Sequence, residues 1–160
     1  ETLARDMGRL CRQADVIVPN LTEAAILLEA SYREQPSFPQ VEAMLRALHK
    51  RYGCRQAVIT GILRDGLLGA AAYDAQRDCV FFHGQPPMDH VFYGTGDVLA
   101  SALLAGLMRG RSLSQATTLA VDFTYQSMLH TLDNGLPLRY GVAFEQALPM
   151  LVRSLESNAC

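Results

Sequence analysis

Four consecutive residues, Gly94, Thr95, Gly96 and Asp97, have the types and spacing best suited to chemistry. They form a glycine-rich turn that runs into the apolar stretch Val98–Gly106, so a helix is predicted to begin there. Unpaired backbone N–H groups and the positive end of the helix dipole then converge on one spot, which suits an anion. Gly94 and Gly96, lacking a Cβ, let the backbone turn tightly and approach a ligand, and Thr95 adds a hydroxyl donor. Asp97 is the odd member, because a carboxylate repels an anion. It reads either as a helix cap or as a general base toward a hydroxyl that is being phosphorylated. Two common nucleotide loops are excluded: Leu99 stands where a dinucleotide fingerprint needs its third glycine, and no Gly-x-x-x-x-Gly-Lys-Ser/Thr run occurs.

Two further places have the same flavour. Asn20-Leu21-Thr22-Glu23 follows the β-branched run Ala14–Pro19. Asn20 and Thr22 suit a helix cap and Glu23 suits the first turn, whereas a magnesium reading has Glu23 positioning a hydrated ion near phosphates. Thr60-Gly61 closes the run Gln56–Thr60, where a phosphate would accept bonds from a hydroxyl and the backbone. Cys79, His83 and His90 match no established metal-ligand spacing.

The elements that must position these residues follow from hydrophobic period and punctuation. Residues 1–12 place Leu3, Met7, Leu10 and Cys11 on one face of an amphipathic helix. A strand is predicted over Ala14–Pro19, a helix over Ala24–Ala30 and a loop over residues 31–38. A helix with Val41, Leu45, Leu48 and Tyr52 on its apolar face follows, stopped by Gly53. Strands are predicted over 56–60, 67–73 and 79–83, with a hairpin turn at Arg64-Asp65-Gly66 and a loop over 84–90. The central helix starts at Gly96. Beyond the break at Gly110-Arg111, Ser112 or Ser114 caps a helix with a small-residue face of Ala116 and Ala120. A last helix spans 142–152, its regularity limited by Pro149, with a frayed polar tail from Ser154. The fold class is α/β, with a mostly parallel central sheet and an antiparallel extension.

Composition bounds the partners. At 160 residues, 49% of them hydrophobic, the chain suits one cored domain over residues 1–160. Its net charge of -2 and single lysine, Lys50, leave no basic stripe for nucleic acid or an anionic membrane. No apolar run of about twenty residues is present. The cysteines, Cys11, Cys54, Cys79 and Cys160, stand singly, which suggests reduced thiols and a cytoplasmic setting. The chain opens at Glu1 inside a predicted helix, as a piece whose N-terminal neighbour is missing would.

In order, the three places read Asn-x-x-Glu, Thr-Gly and Gly-Thr-Gly-Asp. That order resembles the ribokinase superfamily, and the wording Ala14-Asp15-Val16-Ile17-Val18-Pro19-Asn20-Leu21-Thr22-Glu23-Ala24 with Gly94-Thr95-Gly96-Asp97-Val98 looks most like its vitamin B6 kinase branch, the pyridoxal and pyridoxamine kinases. The resemblance implies transfer of the ATP γ-phosphoryl group to the 5′-hydroxymethyl group of a B6 vitamer. Asp97 would be the base, and Gly94, Thr95 and Gly96 the anion hole. Asn20 and Glu23 would organise Mg2+ and its waters, and Thr60 and Gly61 would contact phosphate. It also implies a homodimer and an upstream segment holding most of the pyridine pocket, so the 160 residues would hold the ATP half of the site and be inactive alone. Hydroxymethylpyrimidine kinases share these motifs. Its rivals are a sugar kinase of the same superfamily and, from a different class, a non-catalytic nucleotide-binding fragment.

Overall fold

A computed structural model of the chain describes residues 2–157, with side chains from Asp6 onward, so Leu3 and Cys160 of the sequence reading lie outside the described side chains. The order is α1 (Thr2–Cys11), β1 (Val16–Ile17), α2 (Leu21–Leu28), α3 (Phe38–Tyr52), β2 (Gln56–Arg64), β3 (Leu67–Asp74), β4 (Cys79–Gln85), α4 (Thr95–Met108), α5 (Leu113–Asp133), a 3-10 turn at Leu138–Tyr140, and α6 (Phe144–Glu156). The fold is α/β, as expected. The chain forms two compact units, residues 1–82 and 83–160, and the division falls inside β4.

The first unit is built on a mixed sheet in the order β1-β2-β3-β4. β1 runs parallel to β2, with Val16 opposite Gln56, and β2 runs antiparallel to β3. β1 is shorter than the predicted Ala14–Pro19 because Pro19 has no N–H to give the ladder. The pairing still extends past it, since the N–H of Gln56 donates to the Asp15 carbonyl and that of Thr60 to the Pro19 carbonyl, each at 3.0 Å. β2 departs from expectation more strongly. It does not end at Thr60 but continues to Arg64, through a bulge at Gly61. Gly61 has φ +76, a conformation that favours glycine, and the extra residue bends the strand without ending it.

α3 lies on this sheet. Val41, Leu45 and Leu48 are completely buried, in one cluster with Cys54, Ala57, Ile59 and Ala71. Withdrawing each such leucine from water contributes about 1.5–3 kcal/mol. Gly53 ends the helix at φ +75, its N–H donating to the His49 carbonyl at 2.8 Å. Beside β1, at one end of the sheet order, an apolar cavity of about 530 Å³ is lined by Met7, Leu10, Cys11, Ile17, Pro19 and Ile26.

Burial also sorts the thiols. Cys11 and Cys54 are buried, and burial pushes the Cys54 thiol up to about 11 and raises that of Cys11, whereas Cys79 is exposed. Iodoacetamide at about pH 8 is therefore expected to label Cys79 in the folded protein and to reach Cys11 and Cys54 only after denaturation. Peptide mass mapping reads this directly. Native labelling of Cys54 as fast as that of Cys79 would contradict the packing.

The second unit packs α4, α5 and α6 together. Leu99, Ala102 and Leu103 of α4, Ala116, Leu119, Ala120 and Phe123 of α5, and Ala147 and Leu151 of α6 are buried. Of the two candidate caps, Ser112 serves α5: its Oγ accepts the Gln115 N–H at 3.3 Å, and Gln115 Oε1 accepts the Ser112 N–H at 3.0 Å. α6 starts at Phe144, two residues later than predicted, and runs past Ser154 to Glu156 instead of fraying. Arg111 donates to the Ser154 carbonyl and holds that end. Pro149 lies inside the helix at the cost of one backbone bond, while Ala147 and Leu151 on either side anchor it by burial.

Candidate active site

In the first unit, the structure brings Asn20, Glu23, Thr60 and Gly61 together. Asn20 and Thr60 form an isolated parallel bridge, which sets the start of α2 beside the bulge of β2. Asn20 caps α2: its Oδ1 accepts the Glu23 N–H at 2.9 Å, and Glu23 Oε2 accepts the Asn20 N–H at 2.8 Å. This reciprocal box starts α2 at Leu21, three residues earlier than the predicted Ala24. The capping reading of Asn20 and Glu23 is thus realised. It uses one carboxylate oxygen of Glu23, and the side chain remains exposed. The bulge leaves Gly61 out of the strand register, so its peptide groups are free of the ladder. Thr60 itself sits within β2 and not at its end.

In the second unit, α4 begins at Thr95, one residue before the predicted Gly96. Gly94 is its N-cap in the left-handed conformation, φ +76. The Gly94 carbonyl accepts the Val98 N–H at 3.1 Å, so the helix is closed from its first turn. No side chain caps it. α2, α3 and α5 each have a Glu or Gln at the third helical position whose side chain returns to the cap N–H: Glu23, Gln40 and Gln115. Asp97 holds the same position in α4 but is one methylene shorter, and Gly94 has no side chain to reciprocate. The carboxylate of Asp97 is exposed, and the first-turn N–H groups of Thr95, Gly96 and Asp97 point at no capping side chain. A Cβ built on Gly96 would meet nothing within 4 Å, so the space above the turn is open.

A phosphate fits this turn by its chemistry: free N–H donors, the positive helix end, and room. For a metal, the donor set is thin. Among the described residues no three His, Cys, Asp or Glu side chains gather. The uncommitted oxygen of Glu23 suits a magnesium ion that keeps its waters and takes further oxygens from phosphates, and not an all-protein cage.

Three features escaped the sequence reading. Within the second unit, His83 Nε2 and Gln85 Nε2 each donate to Asp122 Oδ1 at 2.7 Å, which gives His83 a carboxylate partner. Gly141 packs its backbone against the Tyr93-Gly94 turn. Thr131 holds the segment that carries Gly141. Only the alternation of His83 and Gln85 along β4 could have been read in advance, because the other contacts join residues far apart in the chain.

A family model described as phosphomethylpyrimidine kinase matches residues 2–139. The chain belongs to the phosphomethylpyrimidine kinase family. Its fold is that of the ribokinase-like kinases, and solved structures agree. A Bacteroides thetaiotaomicron protein assigned as a phosphomethylpyrimidine kinase is 29% identical with a TM-score of 0.88, over 94% of this chain and 52% of its own. The pyridoxal kinase of Lactobacillus plantarum is 32% identical with a TM-score of 0.85, over 97% of this chain and 55% of its own. The Bacillus subtilis pyridoxal kinase, solved as an ADP complex, is 23% identical with a TM-score of 0.67 over 78% of this chain and 46% of its own, a likeness of fold. The family member described here thus spans about half the length of the structures it matches. None of the curated proteins compared with it matches. No described helix is long and apolar enough to cross a membrane.

Proposed function

We propose that this chain is the C-terminal, ATP-binding portion of a cytoplasmic, homodimeric kinase that phosphorylates the 5′-hydroxymethyl group of pyridoxal, pyridoxamine or pyridoxine. The observation that carries the reading is the uncapped first turn of α4 with an uncommitted carboxylate at its third position. Magnesium-bound ATP supplies the phosphoryl group when present. The N–H groups of Thr95 and Gly96 and the Thr95 hydroxyl hold the charge that develops on the transferring group. Asp97 takes the proton of the attacking hydroxyl. Glu23 holds waters of the magnesium ion, Asn20 keeps Glu23 in place through the capping box, and Thr60 with Gly61 contacts phosphate. The apolar cavity beside the open side of β1 supports the view that further chain completes the sheet and the substrate pocket, so the 160 residues alone are expected to be inactive.

Support for a B6 vitamer comes from the Lactobacillus plantarum relative, a pyridoxal kinase, and from a second crystal form of the Bacteroides thetaiotaomicron protein, solved with pyridoxal. A second reading, hydroxymethylpyrimidine as acceptor, is favoured by the description of the family model itself. The test is ADP release with MgATP and each of pyridoxal, pyridoxamine and hydroxymethylpyrimidine, on this chain and on any longer polypeptide that carries it. Turnover of a B6 vitamer by the longer polypeptide is the expected result. Turnover of hydroxymethylpyrimidine alone would select the second reading, and ATP binding without turnover of any of the three would sink both.

A further inference from the structure

We propose that Thr131 and Gly141 are positioning residues that set the geometry of the first turn of α4. The proposal rests on the reading of that turn as the phosphate site. Thr131 is completely buried on α5. Its hydroxyl donates to the Ser127 carbonyl at 2.7 Å and accepts the Ala143 N–H at 2.8 Å. Thr124 and Ser127 make the same bond back to the preceding turn of α5, each at 2.8 Å. Among the described residues of that row, Thr131 alone also accepts from another segment.

The segment it holds leads to the site. Ala143 is the buried N-cap of α6, and the Thr131 hydroxyl accepts its backbone N–H, the donor that a capping box would satisfy from within the helix. Two residues earlier stands Gly141, at φ +98. A Cβ there would lie 3.8 Å from the Tyr93 carbonyl oxygen, and a Cβ on Gly94 would lie 4.0 Å from the Gly141 Cα. Two glycine backbones therefore face each other, both in conformations that disfavour side chains. The Gly94 turn is braced from behind by Gly141, and Gly141 is placed by a hydrogen bond to Thr131. Loss of the hydroxyl leaves the Ala143 N–H buried without a partner, so the segment must shift to recover one. The turn that aims the Thr95 and Gly96 N–H groups shifts with it.

The test compares Thr131→Val, which keeps the side-chain shape, with Thr131→Ser, which keeps the hydroxyl, and with Ser127→Ala as a control on the same helix face. Two quantities are read on the folded chain: the backbone amide resonances of Thr95 and Gly96 without nucleotide, and the affinity for MgATP. Thr131→Val is expected to move both resonances and to weaken MgATP on the order of tenfold. Thr131→Ser should restore both, and Ser127→Ala should change neither. Gly141→Ala is the second variant should Thr131→Val fail to fold, and it is expected to move the same resonances. Unmoved Thr95 and Gly96 resonances in a folded Thr131→Val or Gly141→Ala protein would overturn the proposal, as would moved resonances with unchanged MgATP affinity. Moved resonances in a protein whose parent binds no MgATP would uphold the positioning and overturn the phosphate-site reading instead.

Discussion

Asp97→Asn is expected to lower turnover by roughly 10²–10⁴-fold while leaving MgATP affinity nearly unchanged. The substitution keeps the size of the side chain and removes its charge and its capacity to take a proton. In α2, α3 and α5 the side chain at the third helical position bonds back to its own helix cap, as Glu23, Gln40 and Gln115 show. In α4 no such box forms, because Gly94 has no side chain to reciprocate, and the exposed Asp97 carboxylate is left for a reacting hydroxyl. Removing its charge costs the helix about 0.3–1 kcal/mol of dipole interaction, too little to unfold the unit. The expected pattern is therefore a loss in kcat with KM for ATP held, measured by coupled ADP release on the polypeptide that shows turnover. A residual rate within tenfold of the parent would remove Asp97 from the base role. A large rise in KM for ATP would point to a binding role instead.

The sequence carried the element order well because its punctuation is strong. Gly53 stops α3, Asp65-Gly66 turns the hairpin between β2 and β3, and Ser112 caps α5 where the pattern breaks. Boundaries failed where a long-range partner decides them. β2 runs through Gly61 because β3 supplies a pairing strand on the far side of the bulge, which the Thr-Gly pair alone does not reveal. α6 begins at Phe144 because the Ala143 N–H is bound by Thr131, twelve residues earlier. The motif residues were legible as local chemistry. Their local company was partly legible: the Asn20–Glu23 box lies within one turn, while the Asn20–Thr60 bridge spans forty residues of chain and emerges only from the fold.

The helix that begins at the candidate site, α4, is also held by one close approach, so Gly106→Leu is expected to destabilise the second unit by about 3 kcal/mol or more. A Cβ at Gly106 would already lie 3.0 Å from the Ala116 Cβ and 3.2 Å from the Ala116 Cα. The second distance matters more, because a Cα cannot swing aside as a side chain does. A leucine would have to force α4 and α5 apart along a contact that buries Leu103 and Ala120 as well. Gly106→Ala tests the same contact more gently. Its gain in helix propensity, about 1 kcal/mol, opposes a clash with backbone, so it is expected to yield less stability than alanine gives at an open helical position. Amide exchange across α4 and α5 measures the effect within this unit, where whole-chain melting would mix the two units. Leucine at 106 with parental protection in both helices would show that the two helices do not meet at Gly106 and Ala116. Loss of protection in α4 and α5, with α3 unchanged in the first unit, is the expected outcome.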